Sequence, residues 1–245
     1  MRDNYFGERV AEGYDEATAE MFDPAVVDPA VEFLADLAGD GAALELGIGT
    51  GRIALPLARR GVPVHGIDLS EAMFARLRAK PGGEDIGVMI GDFATTRIDG
   101  TFSLVYLVFN TIMNLTTQDE QVACFQNAAT HLEPGGCFVI EVVVPDLQRL
   151  PHGERFRLFR VSDTYVGIDE YDLVGQGLIS HHFGASEGAF EKTSGPFRYV
   201  WPAELDLMAR IAGMSLRERW SDWRREPFSA ESVKHVSVWE TGAGA

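Results

Sequence analysis

The sequence predicts an α/β fold with a doubly wound, mostly parallel sheet, and three observations predict it. Short apolar β runs alternate with helical patterns from Ala42 to Val144, and strand–helix–strand order requires parallel strands joined by crossovers. The first run ends in a glycine-rich turn that opens a helix, in "LELGIGTGRIALPLARRG" from Leu44 to Gly61. After Pro145 the alternation stops, and about fifty residues carry glycine-punctuated β segments with no good helix, which reads as an insert.

Taken in order, residues 1–40 read as an N-terminal helical cap of two pieces, "VAEGYDEATAEMF" and "PAVVDPAVEFLADLAG", the second stopped by Gly39 and Gly41. Residues 42–145 form the core, in which "AALEL", "VPVHGID", "IGVMIGD", "FSLVYLVF" and "CFVIEVVV" read as strands. Between them lie the helical patterns "RIALPLARR", "EAMFARLRAK" and "TQDEQVACFQNAATHL". The last opens with a capping box, Thr117 and Glu120, and places Val122, Phe125, Ala129 and Leu132 on one face. Residues 146–200 are the β insert. Residues 201–245 hold a helix, "PAELDLMARIAG", and two β segments able to pair antiparallel. No internal repeat or flexible linker interrupts this single-domain arrangement.

Composition narrows the function. At 245 residues, 46% hydrophobic and 24% charged, the chain can bury a full core. Its formal net charge of −16 repels phosphate backbones and anionic membranes, so neither nucleic acid nor a membrane is an expected partner. Cys124 and Cys137 fall in core-like patterns and read as reduced thiols of an intracellular protein. The charged N-terminus has no apolar export segment, so a cytoplasmic location is expected, with homo-oligomerisation left open.

A strand ending in glycines before a helix presents free backbone N–H groups and a positive dipole end to a ligand. The dinucleotide fingerprint needs a third glycine where Arg52 stands, which disfavours a nicotinamide-dependent oxidoreductase. The Lys-Ser/Thr pair of a P-loop is absent as well. The spacing that is present, E-x-G-x-G-x-G with Glu45, Gly47, Gly49 and Gly51, resembles the first motif of class I S-adenosylmethionine-dependent methyltransferases. "GIDLS" after the second strand, "GDF" after the third and "LEPGG" before the fifth extend the resemblance over residues 42–145.

The resemblance implies a Rossmann-like seven-stranded sheet with an antiparallel last strand, and S-adenosylmethionine as cofactor. It places Asp68, with Leu69 beside it, at the ribose hydroxyls, and Asp92 and Phe93 at the adenine. Phe109 falls at the methionine end and Asn110 at the acceptor, Tyr14 of "EGYDEA" is implied as a cofactor or acceptor contact, and Arg52, next to the last glycine, as a cofactor-binding residue. The layout of cap, core and insert is similar to methyltransferases of amino sugars and other specialised metabolites, which implies a small-molecule acceptor under the insert.

Methyl transfer from a sulfonium is an in-line displacement, in which the enzyme aligns the nucleophile and excludes water. An oxygen acceptor usually needs a general base, whereas an amine needs a free lone pair. His181 and His182 are the candidate bases, and in an alternating strand only one of them can face the pocket. Tyr199, Tyr5 and Tyr14 are candidate aromatic walls, with Tyr199 also a candidate catalytic group. No unambiguous base appears, which favours N-methylation over O-methylation with a histidine base; a non-catalytic binding protein on the same fold is the remaining alternative. "VVVPDLQ" supplies only Asp146 as an oxygen ligand, so no metal is expected.

Overall fold

The computed structural model describes residues 6–186 and 189–242, and the strands and helices follow the sequence order. The first strand of the core, β1 (Ala43–Leu46), is buried along its whole length, because helices cover both faces of the parallel sheet around it. Around it lie β2 (Val64–Asp68), β3 (Gly87–Ile90), β4 (Phe102–Leu107) and the long β5 (Leu132–Val143). The sheet closes with β10 (Met214–Trp220) and β11 (Lys234–Thr241), giving the order β10-β11-β5-β4-β1-β2-β3. Its last strand, β11, runs antiparallel to both neighbours, and the pairs from β5 to β3 are parallel.

One face is covered by α2 (Pro24–Ala38) and α3 (Ala54–Arg59), whose apolar residues pack with Phe33, Leu34 and Trp223. The other carries α5 (Gln118–His131) and α6 (Pro202–Ile211) over Phe125, Phe138 and Trp239, whose rings meet edge to face at 5.0 and 5.3 Å around Phe125. The remaining helices are α1 (Glu8–Ala17) in the cap and α4 (Glu71–Arg78) after β2.

The capping box at Thr117 and Glu120 forms as expected. The buried face of α5 is rotated from the one the apolar residues mark, however: Gln121, Cys124, Phe125, Ala128 and His131 are buried, while Val122 and Ala129 are only partly so and Leu132 already belongs to β5. Polar Gln121 is buried with its amide satisfied, its two N–H donors shared among the carbonyls of Ile112, Leu115 and Arg198, each at 3.2 Å.

The insert forms a separate four-stranded antiparallel sheet of β6 (Phe156–Val161), β7 (Tyr165–Asp172), β8 (Gly177–Ser186) and β9 (Ala189–Arg198), in sequence order. A buried network fixes it to the core. Arg198 at the end of β9 donates to the Gln121 side chain and pairs with Glu204 of α6 at 2.7 Å. Glu204 also accepts from Gln176 at 2.8 Å and Gln118 at 2.7 Å. These charge-assisted bonds hold the Glu204 carboxyl below its usual range against the cost of its burial.

Candidate active site

The glycine turn leaves β1 in a conformation that side chains disfavour, with φ of 75° at Gly47, 55° at Gly49 and 81° at Gly51. A Cβ on Gly47 would stand 2.6 Å from Thr111 Cγ2. One on Gly49 would meet no atom nearer than a carbonyl at 4.0 Å, so the space it would fill belongs to a cavity of about 540 Å³. Gly47, Gly49, Asp68, Leu69, Asp92 and Phe93 share one side of that cavity, at the carboxyl ends of β1, β2 and β3. This is the edge where open α/β sheets bind ligands.

Asp68 is 9% exposed, and each of its oxygens already holds backbone: Oδ2 accepts from Gly49 N at 2.7 Å and Oδ1 from Ser70 N at 2.8 Å. Burial raises its carboxyl pKa, opposed by these N–H donors. Asp92 Oδ1 accepts from Ala94 N at 2.9 Å in a similar turn. Glu45 lies behind the wall, accepting from the Tyr106 hydroxyl at 3.0 Å, and burial pushes its carboxyl up to about 8.

Gly51 also stands behind the cavity, packed on Leu55 and Leu77. Arg52 donates to Met21 O at 3.3 Å and lies over the Phe109 ring at 5.1 Å.

The cap closes the cavity from above. Tyr14 and Phe6 line it and meet edge to face at 6.2 Å. Asp15 fastens α1 to the glycine turn through Thr50 Oγ1 at 2.6 Å and Lys80 Nζ at 2.5 Å. Tyr5 lies outside the described residues.

The opposite side of the cavity holds groups that sequence reasoning did not single out: Thr111, Asn114 and Thr116 from the turn after β4, and Ser194, Pro196 and Phe197 from β9. Phe109 and Asn110 do not reach the lining. Both adopt positive φ, 55° and 62°, and start the turn that carries Thr111 and Asn114. Their strain is held by Glu141, which accepts from Phe109 N at 3.1 Å and pairs with Lys234 at 3.1 Å, while Asn110 Oδ1 accepts from Val143 N at 2.8 Å. Glu141→Ala should therefore cost about 1–3 kcal/mol in urea denaturation, and Lys234→Ala much less, since the carboxylate satisfies the half-buried N–H of Phe109. Equal losses in the two variants would assign the effect to the ion pair instead.

The two histidines do face opposite sides of β8, and neither lines the cavity. His181 reaches Ser194, whereas His182 bonds to the Tyr165 hydroxyl and stacks edge-on against Phe159. Burial lowers the His182 pKa, partly offset by Asp169. The structure does not bring Tyr199 to this cavity: it packs against Tyr171 and lines a separate cavity of about 390 Å³ with Trp201, Leu147 and Leu150. Tyr199 follows the end of β9 and is buried in the apolar core, where its hydroxyl donates to Asp172 O at 3.4 Å. Among the described residues no three or more metal-ligating side chains cluster, and no helix is long and apolar enough to cross a membrane.

Known proteins share this architecture. The family described as "Methyltransferase domain" matches residues 43–136. The cypemycin N-terminal methyltransferase of a Streptomyces species is 30% identical over 239 residues, which cover 93% of this chain and 97% of that protein. The structure of the CcbJ methyltransferase from Streptomyces caelestis superposes with a TM-score of 0.88 at 40% identity, covering 99% of this chain and 100% of that one. CalS10, an amino pentose methyltransferase from Micromonospora echinaspora solved with S-adenosylmethionine bound, shares the fold at a TM-score of 0.67 and 21% identity, over 98% and 99% of the two chains. The chain belongs to the S-adenosylmethionine-dependent methyltransferases.

Proposed function

We propose that this methyltransferase acts on an amine nitrogen of a small molecule in the cytoplasm. One observation carries the choice of nitrogen: the acceptor side of the cavity offers Thr111, Asn114, Thr116 and Ser194, all neutral, and no histidine lines it. A hydroxyl acceptor would meet no ionisable base on that side of the wall itself, the His181 imidazole standing behind Ser194, whereas an amine needs only a free lone pair held in line. Relatives named for amine acceptors support the reading. One is the cypemycin enzyme; another is a Streptomyces venezuelae N,N-dimethyltransferase of a dTDP-amino sugar, 32% identical over 98 residues.

The residues fit the cofactor. When bound, S-adenosylmethionine supplies an electrophilic methyl group on a sulfonium. Asp68 would hold the ribose hydroxyls, Asp92 and Phe93 the adenine, and the Gly47–Gly49 backbone the space between. Tyr14 and Phe6 would cover the methionine end and keep water out, with Arg52, Glu45 and Phe109 supporting that end from behind.

Transfer of a labelled methyl group to a library of amino sugars, peptide N-termini and hydroxyl compounds tests the proposal. Label is expected on amines, and S-adenosylmethionine at a hundred times its Kd should stabilise the fold by about 2.7 kcal/mol. Label confined to hydroxyl compounds would replace the amine reading with O-methylation.

A further inference from the structure

The insert carries a hydrogen-bonded chain that this reading leaves unused. Ser194 on β9 is part of the cavity wall and pairs across the sheet with His181 on β8. Antiparallel partners project to the same face, and His181 Nδ1 lies 2.8 Å from Ser194 Oγ. The other ring nitrogen, Nε2, faces Glu170 Oε2 on β7 at 3.4 Å. The imidazole is sheltered, with its side chain 14% exposed. A carboxylate only accepts, so the ring hydrogen belongs on Nε2, which leaves Nδ1 bare to accept the serine O–H.

We propose that Ser194, His181 and Glu170 form a proton relay that frees the lone pair of an amine acceptor arriving as its ammonium ion. The inference rests on the amine reading above. An alkyl amine of pKa near ~10.4 is neutral only about once in a thousand at neutral pH, so an enzyme that takes amines gains by removing the proton at the site. The ammonium N–H gives its proton to Ser194 Oγ as the serine proton passes to His181 Nδ1. The N–H electron pair stays on nitrogen, and the imidazolium rests against Glu170. An alcohol acceptor would pass its proton down the same chain, as Ser194 itself does, so the assignment to an ammonium rests on the amine reading above and on the pH dependence tested below. Ser194 would touch the acceptor; His181 and Glu170 act through it and are positioning residues.

The charges around the ring are mixed. Arg155, just before β6, lies 3.8 Å from Glu170, and Lys192 of β9 lies over Phe183, the ring next to His181. Asp169 and His182 flank it from the other face of the sheet. Glu170 is the only one of these with a direct contact to Nε2 among those described.

Two experiments test the relay, the first needing no acceptor. Long-range proton–nitrogen correlation spectra of the protein with S-adenosylhomocysteine should show the neutral form of His181 carrying its one ring hydrogen on Nε2, and a neutral ring with its hydrogen on Nδ1 would overturn the proposal. The second uses the first amine methylated in the labelled-methyl screen. His181→Asn and Ser194→Ala should lower kcat/KM at pH 7 by about tenfold or more. The deficit should shrink as pH approaches the pKa of the amine, and Ser194→Thr should restore turnover, with S-adenosylmethionine affinity unchanged throughout. A deficit equal at every pH, or none, would overturn the relay while leaving N-methylation standing; a screen with no methylated amine would instead remove the reading on which it rests.

Discussion

Asp68→Ala is expected to weaken S-adenosylmethionine binding by about ten- to a hundredfold and to lower the thermal stability of the unliganded protein as well. The first effect follows from removing a charged acceptor from hydroxyl donors, a loss of about 1.5–3 kcal/mol, or roughly one to two factors of ten. The second follows from geometry, because the same carboxylate ties Gly49 N at the glycine turn to Ser70 N at the start of α4. A carboxylate offers about four lone-pair positions, so two backbone bonds leave room for the ribose. Calorimetric titration with cofactor beside thermal denaturation separates the effects. An unchanged Kd with a lowered Tm would show that Asp68 only braces the turn and the helix start.

The fold was legible because each core element carries its own local signal. Thr117 and Glu120 announce α5, the glycines announce the β1–α3 turn, and the buried strands read as continuous apolar runs. The wall of the cavity that Asp68 and Asp92 line was legible for the same reason: both sit at fixed places after strands, along the sheet edge. The opposite wall was not. Ser194, Pro196 and Phe197 reach the cavity only because β9 is an edge strand of a sheet whose placement depends on Arg198, Gln121 and Glu204, residues 77 positions apart for the first pair. No local pattern encodes such a long-range bond. Gln121 likewise interrupts the apolar stripe of α5 as a polar residue, and its burial is comprehensible only from three carbonyls brought from elsewhere in the chain.

Glu45→Gln is expected to make the unliganded protein more stable at pH 8 than the parent, by on the order of 4 kcal/mol, with the gain vanishing near pH 4.5. Glu45 is 3% exposed and bonded to Tyr106, and burial lifts its carboxyl from 4.5 to about 8. Between these values the folded protein keeps a proton that the unfolded chain has released. The unfolded state then binds fewer protons, so stability falls as pH rises through the window and levels off above it. Glutamine cannot ionise, and its carbonyl oxygen can still accept from the Tyr106 hydroxyl, so the packing persists while the pH dependence is lost. Urea denaturation of both proteins at pH 5, 6, 7 and 8 isolates this one group, since all others titrate alike in the pair. A difference that widens steadily with pH is the expected result. A constant difference would mean that Glu45 is ionised in the folded state at neutral pH, held there by the Arg52 guanidinium, whose attraction already opposes the rise.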